Sequence, residues 1–323
     1  MTHLDAAMIR AAVAHIDPVY LDTPIARHAD LDAALGCTMA AKVETLNPIR
    51  SFKGRGADVF VATRLRPGEA LVCASAGNFG QGVARAAWQR GHPCTVYAAT
   101  AANPRKIAAM RGFGAEVILG GADFDAAKLA ARAAAQQRGA RFVEDGAEPT
   151  IAAGAGTIGL ELAGADPSLR SVLVPLGNGA LLAGVGAALR EALPVAEVIG
   201  IVAAKAPSMK LSLDSGRLVE TASADTIADG VAVRTPVPEA LAMLHGLYDS
   251  VVSVSEDQIV AAMKLILQTL GLAVEPAGAL GVAAVLADRS RFSGRSVATI
   301  LCGANLSDAI FDRLWAGRPA HPE

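Results

Sequence analysis

Aromatic residues are scarce, 4% of 323 positions, which leaves few stacking faces for single-stranded nucleic acid. Cysteine is scarcer still. The four cysteines, Cys37, Cys73, Cys94 and Cys302, stand far apart with no C-x-x-C, which argues against a zinc site or disulfide framework and for a reducing compartment. Neither sign of charge dominates. The 29 basic and 31 acidic residues leave a net charge of −2, with no general pull toward DNA or anionic membranes. His3, His15, His28, His92, His245 and His321 show no H-E-x-x-H and no other metal-ligand spacing. No apolar run reaches membrane-spanning length without a glycine or a charge, and the acid-bearing N-terminus lacks a secretory core. These absences lead us to expect a soluble, cytoplasmic chain whose partner is a small molecule rather than nucleic acid, membrane or metal.

Hydrophobic residues, by contrast, make up 52%, ample for a large interior in about two domains. From residue 70 onward, short apolar runs alternate with helical stretches. Strands are expected at 70–75, 94–99, 116–119 and 141–143, with helices between them, one opened by Asn103-Pro104. After residue 150 the pattern resumes, with strands at 171–176, 198–203, 251–254 and 296–301. Ser255-Glu256-Asp257-Gln258 is a capping-box signature for a helix running to Leu270. Strands alternating with helices of this length imply right-handed crossovers and parallel sheets. The expected class is α/β, with two open twisted domains facing each other across a cleft. The boundaries expected are a large domain of 1–66 and 151–323 and a small one of 67–150. The chain stops soon after its last predicted helix, so no appended regulatory domain is expected.

Four segments carry chemistry. Lys53 follows Ser51-Phe52 and precedes Gly54-Arg55-Gly56, which reads as flexible and basic. A lysine amine forms imines once burial or nearby cations release its proton, and Arg50 and Arg55 are candidates for that role. Alone, Lys53 reads as a solvated surface residue, as most lysines in Gly/Arg-rich stretches are. Ser75-Ala76-Gly77-Asn78-Phe79-Gly80 joins a strand end to a helix start, where free N–H groups favour an anion such as a carboxylate; an ordinary capped turn would use the same residues. Gly177-Asn178-Gly179-Ala180-Leu181 repeats that layout as a phosphate-sized loop, without the Gly-Lys-Ser/Thr of a nucleotide P-loop. Cys302-Gly303-Ala304-Asn305 ends a predicted strand, where ligands gather in α/β sheets. A buried small hydrophobe would explain Cys302 as well. Gly154-Ala155-Gly156-Thr157-Ile158-Gly159 matches G-x-G-x-x-G, but no strand precedes it and no acid stands about twenty residues on, so a nicotinamide site is set aside.

The order Ser-Phe-Lys, Ser-x-Gly-Asn, glycine loop and strand-Cys-Gly resembles the fold-type II (tryptophan synthase β-like) pyridoxal-phosphate enzymes, in particular the serine/threonine dehydratases. The likeness runs from about Thr23 to Asp308 and includes Thr23-Pro24-Ile25 and Val274-Glu275-Pro276-Ala277-Gly278-Ala279. The resemblance implies that Lys53 forms the Schiff base with pyridoxal 5'-phosphate. It implies that Phe52 packs near the ring and Asn78 bonds the ring hydroxyl. Amides of Gly177, Asn178, Gly179, Ala180 and Leu181 would hold the phosphate, and Cys302 would face the ring nitrogen. Ser75, Ala76, Gly77, Asn78 and Phe79 would hold the substrate carboxylate. A neutral thiol cannot keep the ring nitrogen protonated, so the cofactor is a weaker electron sink, suited to prompt β-elimination. The implied reaction takes a β-hydroxy L-amino acid of threonine or serine type to a 2-oxo acid and ammonia, with freed Lys53 as general base. A homodimer is implied too.

Several positions depart from the family pattern. Racemases of this group carry a serine where Ala76 stands, and Ala76 has no proton to give, so racemisation is the weaker alternative. Ala204-Lys205 replaces the acid with which some relatives bind a divalent cation, so no metal is expected. Asn178 and Ala180 replace glycines of the phosphate loop. Gly80 stands where many relatives have alanine, which suggests room for a bulkier substrate such as phenylserine; simple helix initiation is the plainer explanation.

Overall fold

Among the described residues ten strands form: β1 (Ile25–Ala26), β2 (Thr38–Val43), β3 (Leu71–Ala74), β4 (Cys94–Ala98), β5 (Glu116–Leu119), β6 (Arg141–Val143), β7 (Ser171–Pro175), β8 (Glu197–Ala203), β9 (Ser250–Val254) and β10 (Ser296–Leu301). The computed structural model describes residues 4–100 and 102–315; His3 and His321 lie outside them. The larger sheet runs β1-β2-β10-β7-β8-β9 and the smaller β5-β4-β3-β6. Every pairing is parallel except β1 with β2. Each expected strand lies in one of these two sheets.

β1 and β2 are the strands that patterning did not anticipate. Thr38–Val43 reads Thr-Met-Ala-Ala-Lys-Val, and only its first residue is exposed. Its alanines and lysine hide a strand whose inward lysine is neutralised by Glu161 at 2.5 Å. β2 also sets the register of the site. It pairs with β10 from Ser296↔Thr38 to Leu301↔Val43, and a bridge then joins Ser51 to Gly303. That register lays the end of β10 beside the start of the helix Lys53–Arg64.

That helix corrects one expectation. Gly54-Arg55-Gly56 is not a flexible segment; all three residues are buried within the helix. Tertiary packing overrides the poor helix propensity of glycine here: a methyl group on Gly54 would stand 2.1 Å from the Tyr20 ring. The G-x-G-x-x-G segment also lies inside a helix, Pro149–Ala165. Its glycines let that helix press against its neighbours: a Cβ on Gly154 would meet the Arg55 carbonyl at 2.6 Å, one on Gly156 the Gly184 carbonyl at 2.8 Å and one on Gly159 the Ala188 Cβ at 2.8 Å. The capping box forms as read: Ser255 Oγ accepts from the Gln258 N–H, and the Gln258 side chain accepts from the Ser255 N–H. Among the described residues all four cysteines are free and buried, and no helix is long and apolar enough to cross a membrane.

Candidate active site

The start of the helix Lys53–Arg64 is tied to the end of β10. Ser51 Oγ donates to the Cys302 carbonyl at 3.0 Å, and the Phe52 N–H donates to the same oxygen at 3.2 Å. Lys53 Nζ then lies 4.7 Å from the centre of the Phe52 ring and 6.0 Å from that of Phe79. Its polar partner is Asp145, whose Oδ2 is 2.5 Å away. Asp145 follows β6, is 9% exposed, and its other oxygen has no partner. The expectation that arginines flank the amine is therefore corrected. Arg55, two residues along the helix, is fully buried against Glu44, Thr157 and Glu161. Arg50 is exposed and takes a positive φ of 51°. A carboxylate, not a guanidinium, faces the amine.

The loop after β3 leads into the helix Asn78–Gln89. Ser75 shapes this loop: its N–H donates to the Tyr97 carbonyl at 3.0 Å, and its Oγ accepts from the N–H groups of Gly77 at 3.2 Å and Gly80 at 3.0 Å. The hydroxyl thus caps the helix, while the amides of Ala76, Asn78 and Phe79 belong to a helix start with no side-chain cap at Gly77. Gly80 has a different part from the roomier pocket expected of it. A Cβ there would stand 2.6 Å from Met110 Sδ and 3.2 Å from the Ser75 carbonyl. Its missing side chain serves helix packing inside the smaller sheet's own layer.

Asn78 joins the two sheets' layers. Its Nδ2 donates to Glu275 Oε1 at 2.8 Å and Oε2 at 3.0 Å, and its Oδ1 accepts from Asn305 Nδ2 at 2.8 Å. Burial, with Asp229 adding to it, pushes the Glu275 carboxyl up to about 7 against the pull of Lys106. Burial likewise pushes the Cys302 thiol well above its ordinary range, with Glu275 adding to the effect, so the thiol is neutral.

The glycine loop completes the site. Gly179 caps the helix Ala180–Ala192 at φ 95°, and no side chain caps the first turn. First-turn N–H groups have no partner within their helix and carry the positive end of its dipole, so the loop fits a phosphate. The segment bearing Asp145 rests on this loop, since a Cβ on Gly146 would meet the Asn178 carbonyl at 2.4 Å. Phe52, Lys53, Asn78, Phe79 and Cys302 thus converge around one cleft, and Asp145-Gly146 connects Lys53 to the loop of Gly177 to Leu181.

Asp145, Glu275 and Asn305 were not among the residues assigned a role from sequence. For Asp145 a signal existed: it lies just past a predicted strand, at the carboxyl end of a parallel sheet, where ligands bind. Glu275 lay within a quoted motif, but nothing in the letters reveals a carboxyl buried against an asparagine.

The chain is 41% identical over 277 residues to the L-threonine ammonia-lyase of Geobacter sulfurreducens, covering 84% of this chain and 68% of that one. It is 35% identical over 305 residues to the biosynthetic L-threonine dehydratase of Escherichia coli, covering 93% of this chain and 59% of that longer one. Among solved structures, maize serine racemase superposes with a TM-score of 0.90 at 27% identity, over 97% of each chain. The model of the family described as pyridoxal-phosphate dependent enzyme matches residues 16–303, nearly the whole fold just described, and the chain belongs to that family.

Proposed function

We propose that the chain is a pyridoxal-phosphate-dependent ammonia-lyase, removing water from a β-hydroxy L-amino acid of the threonine or serine type to give a 2-oxo acid and ammonia. The observation that carries this is Lys53, an amine held between two aromatic rings and a carboxylate, with the Ser75–Phe79 helix start and the uncapped start of the helix Ala180–Ala192 supplying backbone amides for anions. The names of the Geobacter and Escherichia relatives support the substrate.

When bound, the cofactor supplies an aldehyde that captures amines and a ring that draws electron density away from the substrate Cα. The chain does the rest. Amides from Gly177 to Leu181 would hold the phosphate, Phe52 would pack beside the ring, and Asn78 would orient the ring hydroxyl. The Cys302 thiol, kept neutral by burial, would stand toward the ring nitrogen and leave it unprotonated, which would favour elimination over transamination. The amides of Ala76, Asn78 and Phe79 hold the substrate carboxylate while Ser75 fixes the loop. Lys53 Nζ removes the α-proton as general base. Ala76 offers no proton on the opposite face, which disfavours racemisation. With Gly80 packed against Met110, nothing at that position favours phenylserine.

In this reading a large unit of 1–66 and 151–323 binds the cofactor, and a small unit of 67–150 carries the carboxylate loop. The separate sheets support that division. A homodimer rests on the resemblance, and a cytoplasmic location on the cysteine pattern and the N-terminal sequence. The test is the absorbance of the purified protein with and without L-threonine. We expect a band near the visible edge that borohydride abolishes, and release of 2-oxo acid and ammonia. Lys53→Ala is expected to lose the band and at least about 1000-fold of the activity, given what a positioned general base contributes. A colourless protein that stays colourless with added cofactor overturns the reading.

A further inference from the structure

Asp145 is unlike the other acids near the cleft. Its neighbour Glu144 is neutralised by Lys128 and Arg132. Asp145 is 9% exposed and has Lys53 Nζ on Oδ2, while Oδ1 is buried with no partner in the protein. A buried carboxylate oxygen without a donor carries its full desolvation cost, and such a group calls for an explanation in a ligand. The backbone cannot carry it aside: Gly146 holds a φ of 90° and lies against the Asn178 carbonyl.

We infer that Asp145 is the specificity-determining residue of the substrate side-chain pocket, accepting a hydrogen bond from the β-hydroxyl and rejecting β-hydroxy amino acids with an anionic side chain. This deepens the ammonia-lyase reading and rests on it, because the substrate amine must take the place Lys53 Nζ occupies. Substrate Cα is one bond from that amine and Cβ two, so a carboxylate 2.5 Å from Nζ stands within reach of the β-substituent. A hydroxyl donates to the Asp145 carboxylate, whose Oδ2 faces the amine position. A β-carboxylate would set two like charges together in a half-enclosed site, where such juxtaposition costs several kcal/mol. The substrate class is thus neutral β-hydroxy amino acids, to the exclusion of 3-hydroxyaspartate.

The test uses the holoenzyme and its Asp145→Asn variant, which keeps shape and removes charge. Turnover of L-threonine, L-serine and L-threo-3-hydroxyaspartate is compared. Binding of α-methylserine and α-methylaspartate, which have no α-proton to lose, is read separately from the cofactor absorbance. Wild-type enzyme is expected to favour L-threonine over 3-hydroxyaspartate by at least about 100-fold in kcat/KM, and Asp145→Asn to narrow that ratio by about 10-fold or more. The same variant should tighten α-methylaspartate relative to α-methylserine. Equal use of both substrates by wild-type enzyme overturns the inference without any variant, as does an unchanged ratio in Asp145→Asn with both binding constants unmoved. Asp145→Ser provides a second neutral variant if the first does not fold. Failure of the underlying reading looks different: wild-type enzyme then releases no ammonia from any of the three substrates, and α-methylserine leaves its spectrum unchanged.

Discussion

Two faces of the helix Lys53–Arg64 handle charge in opposite ways. On one face, Arg55 donates to Glu44 at 2.8 and 2.9 Å, to Thr157 at 2.8 Å, to Glu161 at 2.5 and 3.1 Å, and to Thr23 at 3.2 Å. Lys42 adds a second cation on Glu161 at 2.5 Å. Two cations and two carboxylates balance, and none of their atoms is among the orphaned buried groups. On the other face, Asp145 keeps an open oxygen and Glu275 is a carboxyl pushed up to about 7. The first cluster is closed and fastens β2 and the helices together. The second has neutral amide donors on Glu275 in place of a cation, and it leaves Asp145 Oδ1 without a partner. What separates a structural charge from a functional one here is completeness of pairing, not burial.

The sharpest way to break that comparison is to open the closed face. Arg55→Met should leave Glu44 and Glu161 underpaired in the interior and destabilise the fold by about 3–5 kcal/mol, the usual cost of removing one partner of a buried pair. Denaturant unfolding measures it. A loss below about 1 kcal/mol, the range of an exposed ion pair, would put Arg55 among surface residues in energetic terms.

Much of this was legible in the sequence, and the gaps have physical causes. Short runs of three to six residues between glycine-broken helices marked the strands of the smaller sheet and four of the larger. Ser255 and Gln258 announced their helix start by side-chain chemistry alone, which is local and therefore readable. The helix Lys53–Arg64 was not readable, because Gly54 and Gly56 signal flexibility until Tyr20 and Ile151 fill the space beside them. β2 was missed because an inward lysine looks like an outward one until its partner, 119 positions away at Glu161, is known. The order of motifs pointed to Lys53, Asn78 and Cys302, whereas Asp145 and Glu275 depend on contacts between segments distant in the chain.

The open face makes a smaller and pH-dependent prediction. Glu275 has a folded pKa of about 7 against 4.5 for the free group. The native state therefore keeps a proton that the unfolded chain has lost between those values. Stability from this group is full below about pH 4.5, falls as pH rises, and has been lost above about pH 7, by on the order of 3 kcal/mol. Glu275→Gln should flatten that slope, so the variant gains on the wild type as pH rises from 5 to 8. Thermal unfolding across that range checks it, and a wild-type profile that rises with pH through this window would contradict the sign.

The smallest effect on stability should come from removing the reactive pair itself. Lys53→Met combined with Asp145→Asn deletes one cation and one anion together, leaving no uncompensated charge in the cleft. Replacing a buried pair by neutral groups of similar volume is often close to neutral, so unfolding free energy should move by less than about 1 kcal/mol while the cofactor band disappears. Lys53→Met alone should cost more than the double variant, because Asp145 would then be left without its cation. If the double variant instead destabilises as strongly as Arg55→Met, the cleft pair is part of the scaffold, and the two faces of the helix no longer differ in kind.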